Sequence, residues 1–221
     1  MTKPIYLDYH ATTPVDPRVL DAMLPYFTER FGNPASRQHS YGWDAQKGVD
    51  TARAQVAALI GAVPGEIVFT SGASESNNLA IKGIAACMRG KGDHFVTVAT
   101  EHKSVLDTFK KLAQEGWRVT FLPVDREGFI NLDELRAAIT DRTVLVSAMT
   151  ANNEIGTVQP LAEIGAITSE RGVLFHTDAA QAAGKVPIDV HAMNVDLLSL
   201  TGHKYYGPKA VSYTHLRAHE T

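Results

Sequence analysis

Six short apolar runs mark the chain from its second quarter onward: Ile67 to Thr70, Phe95 to Thr100, Val119 to Pro123, Val144 to Thr150, Val173 to Thr177 and Val195 to Thr201. Each is too short for a buried helix and ends in polar or turn-forming residues, the pattern of a buried strand. Most are separated by stretches with apolar residues at helical spacing. This βαβ alternation predicts an α/β fold with a mostly parallel sheet flanked by helices on both faces. Ahead of it, after the Pro- and Asp-rich entry TTPVDP, the pattern predicts a helix over Arg18 to Arg30. A second follows over Trp43 to Ile60, with Ala, Val and Leu at helical spacing. No repeat, low-complexity linker or internal boundary breaks the sequence, so one large domain is expected.

Polar clusters fall at the ends of the runs. TSGASESNN follows the first, TEHKS the second, TANNEIG the fourth, TDAAQ the fifth and TGHK the sixth. Any one of them is explained equally well by helix capping, since Ser, Thr, Asn and Asp are favoured caps and turn residues. Five on one edge of one sheet are a site, because open α/β sheets bind ligands beyond the carboxyl ends of their strands.

The chemistry of the clusters is specific. Ser71, Gly72, Ala73 and Ser74 join a strand to a helix, so free N–H groups and the positive end of the helix dipole converge there. That is an anion cradle suited to phosphate. It is neither the GxxxxGK[ST] loop nor the GxGxxG turn. Asp178 places a carboxylate at the end of an apolar strand, where burial requires a cationic partner. Lys204 follows another such strand, and a partly desolvated lysine is an amine that forms Schiff bases. Phosphate cradle, buried Asp and lysine together describe pyridoxal 5'-phosphate, with Asp178 on the pyridinium nitrogen.

Composition narrows the partners. With 44% hydrophobic and 20% charged residues, the 221-residue chain has an ordinary soluble composition, and its net charge of -3 offers no basic stripe for nucleic acid. No signal for secretion or membrane insertion is present, and a single cysteine suits a reducing, cytoplasmic setting.

The motifs YLDYHATTP, FGNPASRQHSYG, EIVFTSGASESNNLAIKG, TEHKSV, NNEIGTVQP, HTDAAQAAGK and VDLLSLTGHKYYGPK carry a resemblance to cysteine desulfurases of the NifS/IscS kind. These belong to the class V aminotransferases among the fold-type I pyridoxal-phosphate enzymes. TSGASESNNLAIKG with TEHKSV favours this group over the SufS/selenocysteine-lyase branch. The resemblance implies a fold-type I PLP-dependent transferase large domain lacking its C-terminal small domain, and the conversion of L-cysteine to L-alanine. Sulfur would pass as a persulfide to an acceptor or iron-sulfur scaffold protein, for cluster assembly or tRNA thiolation, with a homodimer as the full-length form.

It also implies roles for named residues. Lys204 is the Schiff-base lysine and proton shuttle, Asp178 holds the ring nitrogen, and His102 stacks on the ring and assists proton transfer. Asn153 and Gln181 bind the phenolic oxygen, while Ala73, Ser74, Thr201 and His203 hold the phosphate. Asn33 lies near the substrate carboxylate. The family's persulfide cysteine lies on a loop downstream of the lysine, outside this chain.

Cys87 shares a helical face with Ala80 and Ile84, which predicts a small buried hydrophobe. Asn152 is read as a turn residue. The organisation expected is an N-terminal segment over 1–15, a PLP-binding large domain over 16–210 and a non-native tail over 211–221, the last resembling translated sequencing-adapter read-through. His215 and His219 have helical spacing but no third ligand, so no metal site is expected. Two alternatives stay open: another class V PLP aminotransferase or lyase, and a catalytically silent PLP-binding fragment.

Overall fold

A computed structural model of the chain describes residues 4–209 and, as backbone, the strand 212–216. Seven strands form one sheet: β1 (Ile67–Thr70), β2 (His94–Val98), β3 (Arg118–Leu122), β4 (Thr143–Ser147), β5 (Leu174–Asp178), β6 (Leu197–Thr201) and β7 (Ser212–Leu216). Their order is β1-β7-β6-β5-β4-β2-β3. The pairs from β6 across to β3 are all parallel, and β7 alone runs antiparallel, to β6 on one side and β1 on the other. The carboxyl ends of β1, β2, β4, β5 and β6 therefore share one edge.

The helices are α1 (Pro17–Met23), α2 (Pro25–Thr28), α3 (Ser40–Ile60), α4 (Ala73–Met88), α5 (Lys103–Gln114), α6 (Leu132–Ala138) and α7 (Leu161–Glu170). They bury both faces of the sheet, which is why the strands read as unbroken apolar runs. Phe95, Leu145, Leu174 and Leu197 pack with Ile81 and Ala85 of α4 and Val105 and Phe109 of α5. Their immediate neighbours Val96, Val146, Phe175 and Leu198 enter the opposite core with Ile60 of α3, Leu135 of α6 and Ile164 of α7. Adjacent residues point to opposite faces because the pleat has period two. No helix among the described residues is long and apolar enough to cross a membrane.

The six expected strands are all present, each within a few residues of its predicted bounds. Three expectations change. The helix expected over 18–30 is two helices, α1 and α2, because Pro25 lacks an N–H and starts a new helix at its first position. Residues 212–216, for which the sequence suggested no element, form β7. Ser-Tyr-Thr-His-Leu alternates with β-prone residues, and the slot between β1 and β6 offers backbone partners on both sides. His215 thus lies on a strand rather than a helix, and His219 falls outside the described residues.

Cys87 is the third correction: it is exposed, not buried. The buried stripe of α4 runs through Asn77, Ala80, Ile81 and Ala85, and Cys87 sits on its flank, two residues past Ala85.

Candidate active site

Four neighbouring strands deliver the central residues. Asp178 is the last residue of β5 and is 4% exposed. Its carboxylate is satisfied within the fold: Oδ1 accepts the Ala180 N–H at 2.9 Å and Oδ2 accepts the Asn77 amide at 2.7 Å. His102 follows β2 as the N-cap of α5, its Nδ1 accepting the Ser104 N–H at 3.2 Å. Asn153 follows β4, and Gln181 lies one turn beyond Asp178. Thr201 ends β6 and leads through a 3-10 turn, Gly202–Lys204, to His203 and Lys204.

These residues converge. A recess of about 30 Å³ is lined by Ala73, His102, Met149, Asn153, Asp178, Gln181 and Lys204, among others. It shares Ala73, His102 and Lys204 with an outer cleft of about 550 Å³, whose further lining includes Ser74, Thr201, His203 and Lys209. Every residue nominated for the cofactor lines one or the other. A groove of about 1220 Å³ between α1, α3 and Tyr205–Pro208 is larger, but it contains none of these groups. Size does not locate the chemistry here; the converging polar groups do.

Burial lowers the Lys204 ammonium pKa, more than the nearby Asp178 charge raises it, so its proton is held less tightly than that of a free lysine. His203 is lowered too, by burial first and then by Lys204 and Lys209. Glu101, beside His102, is pushed up to about 8 by burial and then by the Asp178 charge, against the Met149 N–H that its Oε1 accepts.

The loop between β1 and α4 has the character of an anion cradle. No side chain caps α4 at Gly72, where the backbone is extended, although Glu75 folds back to accept from Ser71 N and Oγ, each at 2.6 Å. A Cβ built on Gly72 meets nothing within 4 Å, so neither conformation nor packing inside the chain requires glycine there. The space is free for a ligand to approach the backbone. Gly207, by contrast, is required by packing: a Cβ there would lie 2.8 Å from the Gly202 carbonyl oxygen.

The N-terminal segment forms a wall of the site. Gln181 Nε2 donates to His10 O at 2.9 Å, and His10 Nδ1 lies 3.1 Å from Asn153 O. Thr12 Oγ1 is 3.1 Å from His203 Nδ1, and Thr13 N donates to His203 O at 2.9 Å. Lys209 Nζ donates to Thr12 Oγ1 at 2.8 Å and to Thr13 O. The motif YLDYHATTP was the sequence signal for this wall, though no residue of it was assigned a role. Asn33 lies apart, exposed, with Oδ1 accepting the Ala35 N–H at 2.9 Å as a turn residue. Asn152 is also a turn residue, its Oδ1 accepting from Glu154 and Ile155 at 2.8 and 3.1 Å.

The doubly covered sheet with this site at its carboxyl edge is the large-domain fold of the fold-type I pyridoxal-phosphate enzymes, and the chain belongs to the aminotransferase class-V family, which it matches over residues 5–219. It is 59% identical over 217 residues to cysteine desulfurase IscS of Rickettsia rickettsii (strain Iowa), covering 98% of this chain and 53% of that protein. To cysteine desulfurase IscS of Rickettsia felis (strain ATCC VR-1525 / URRWXCal2) it is 60% identical over 214 residues, covering 97% and 52%. Among solved structures, SspA in complex with cysteine superposes with a TM-score of 0.92 at 45% identity, covering 96% of this chain and 60% of the other. A NifS-like protein does so with a TM-score of 0.93 at 40% identity, covering 96% and 59%. The chain spans about half the length of the curated relatives it matches.

Proposed function

We propose that this chain is the cofactor-binding part of a pyridoxal-phosphate-dependent cysteine desulfurase. The observation that carries the reading is the recess in which Lys204, with its lowered ammonium pKa, meets Asp178, His102, Asn153 and Gln181. The residues fit the cofactor. The Gln181 Oε1 atom is buried without a partner, the Gly72 cradle has room for an anion, and cationic side chains line the outer cleft. Ala73, Ser74, Thr201 and His203 would hold the phosphate, Asp178 the ring nitrogen, Asn153 and Gln181 the phenolic oxygen, and Lys204 the aldehyde carbon.

When bound, the cofactor supplies an electron sink for charge developing at the substrate Cα. Lys204 Nζ, its ammonium pKa lowered by burial, takes the Cα proton of L-cysteine and returns a proton to the product. Asp178 would meet the ring nitrogen with its carboxylate held in place by an N–H bond to each oxygen. His102 covers the site from the N-terminus of α5, and the wall formed by residues 10–13 limits water access. The reaction breaks the substrate Cβ–S bond and makes an S–S bond to an acceptor thiolate, so L-cysteine and a thiol give L-alanine and a persulfide. Cys87, exposed on the flank of α4, does not line the cleft and is not that thiol.

The relatives' names support the activity, and the SspA complex supports cysteine as substrate. A sulfur-acceptor or iron-sulfur scaffold protein as partner, a homodimer and a cytoplasmic setting belong to the same reading. The test is Lys204→Ala in the full-length protein. It is expected to abolish the visible absorbance of lysine-bound cofactor and the release of sulfide from L-cysteine. A surviving band would overturn the assignment of Lys204.

A further inference from the structure

Two polar residues, one in α4 and one in α5, are assigned no contact with the cofactor in that reading. Asn77 lies in the buried stripe of α4, completely inaccessible, and Ser104 is half-buried in the first turn of α5. The Asn77 amide nitrogen stands 2.7 Å from Asp178 Oδ2 and 3.0 Å from Ser104 Oγ. Its orientation follows from chemistry, since a carboxylate only accepts. Turning the amide over would set Asn77 Oδ1 against Asp178 Oδ2. Both Asn77 hydrogens are therefore committed, one to each partner.

Ser104 Oγ lies 2.8 Å from His102 Nδ1, and the same nitrogen accepts the backbone N–H of Ser104. A ring nitrogen that accepts an N–H carries no hydrogen. Ser104 receives the Asn77 N–H on a lone pair and has a single hydrogen of its own, which goes to Nδ1. Donation thus runs outward from Asn77 in both directions, to Asp178 and through Ser104 to His102.

We propose that Asn77 and Ser104 are positioning residues that join Asp178 to His102 by a hydrogen-bonded relay and fix the His102 ring as its Nε2–H tautomer. The two groups assigned to the cofactor ring then sit on one polar chain. Its purpose rests on the reading of the cleft given above, whereas the relay itself is internal to the chain. Asn77 Oδ1 is buried without a partner, so the hydrogen bonds this side chain makes are those of its two donor hydrogens.

The relay is tested by reversing its sense. Asn77→Asp replaces a double donor with a group that shares a proton with Asp178 and turns an acceptor oxygen to Ser104. Ser104 then donates backwards and accepts from Nδ1–H. In the cofactor-free full-length protein labelled with 15N-histidine, the wild type is expected to show two well separated His102 ring resonances in the Nε2–H pattern. In Asn77→Asp, the pattern shifts toward Nδ1–H.

In Ser104→Ala the two resonances converge as the tautomers mix, and Ser104→Thr restores their separation. Adding Asn77→Asp to Ser104→Ala changes nothing further at His102. The proposal is overturned if folded Asn77→Asp keeps the wild-type pattern, or if its effect persists without the Ser104 hydroxyl. Should Asn77→Asp fail to fold, an unchanged His102 pattern in Ser104→Ala is equally decisive. Cofactor uptake by the wild type, followed by absorbance in the same preparations, judges the reading of the cleft separately.

Discussion

The two ends of the sheet treat buried polar groups differently. At the amino end, His94 on β2 is buried with both ring nitrogens partnered, to Thr143 Oγ1 at 2.8 Å and Thr120 Oγ1 at 2.9 Å. At the carboxyl end, Asn77, Glu101 and Gln181 each keep a buried side-chain oxygen with no hydrogen-bond partner. Thr97, inside β2, is the other such residue among those described, and nothing in the structure explains it. A buried polar atom left unpaired costs about 1–3 kcal/mol, and of these three residues Gln181 is the one that lines the recess. A buried histidine is not in itself a sign of function; the state of its neighbours separates the two ends.

Substitutions at each end sharpen the contrast. At the carboxyl end, Asp178→Ala in the full-length protein is expected to lower turnover with L-cysteine by ~10²-fold or more, because charge at the cofactor ring loses its counterpart. Wild-type turnover in this variant would mean that another group holds the ring nitrogen.

Glu101 should show itself in stability against pH. Its pKa is raised from 4.5 to about 8 in the folded chain, so its contribution is complete below 4.5 and is lost as pH rises through 8. Glu101→Gln should remove that decline and gain on the order of 4 kcal/mol at pH 8, seen in denaturant melts at pH 5 and pH 8. His176, lowered to about 4 by burial, acts in the opposite sense: its contribution is complete above 6.5 and is lost as pH falls through 4. The acid side of the profile should therefore survive in Glu101→Gln. Equal pH slopes in wild type and variant would contradict the Glu101 assignment.

At the amino end, His94→Ala leaves two threonine hydroxyls without their partner. It should cost about 1–3 kcal/mol of stability with turnover unchanged. A large loss of turnover in a folded His94→Ala protein would erase the distinction between the ends. The smallest effect is expected from Cys87→Ser, within about 0.5 kcal/mol in stability and neutral for sulfide release, as suits an exposed helix flank. Loss of persulfide formation there would return Cys87 to the reaction.

The sequence made the sheet and the recess legible because both follow short-range rules. Apolar runs marked six strands, and the polar residues just past them marked the edge where Asp178, His102 and Lys204 meet. What escaped depends on contacts between distant segments. Residues 212–216 have little apolar signal and are a strand because two partner strands leave a slot for them. Cys87 was misplaced because spacing from Ala80 and Ile84 defines the edge of a stripe as readily as its centre. Asn77 was visible as a polar residue in phase with Ala80, Ile81 and Ala85, but only the arrival of β5 beneath it reveals that it faces Asp178. His10, Thr12 and Thr13 stand in the motif YLDYHATTP, but nothing local marked their role, which is to lie across loops well over a hundred residues away.

The antiparallel strand β7 also sets an order in time. The Ser71–Ser74 loop hangs from the end of β1, and among the described residues the sheet neighbour of β1 is β7, with Thr70 opposite Ser212. During synthesis β2, β3, β4 and β5 pair soon after they appear, while β1 waits about 140 residues for its partner. Closing so long a loop is slow relative to local pairing, although the added entropic cost grows only logarithmically with length. The loop that leaves β1 is thus secured later than the strand ends that carry His102, Asn153 and Asp178.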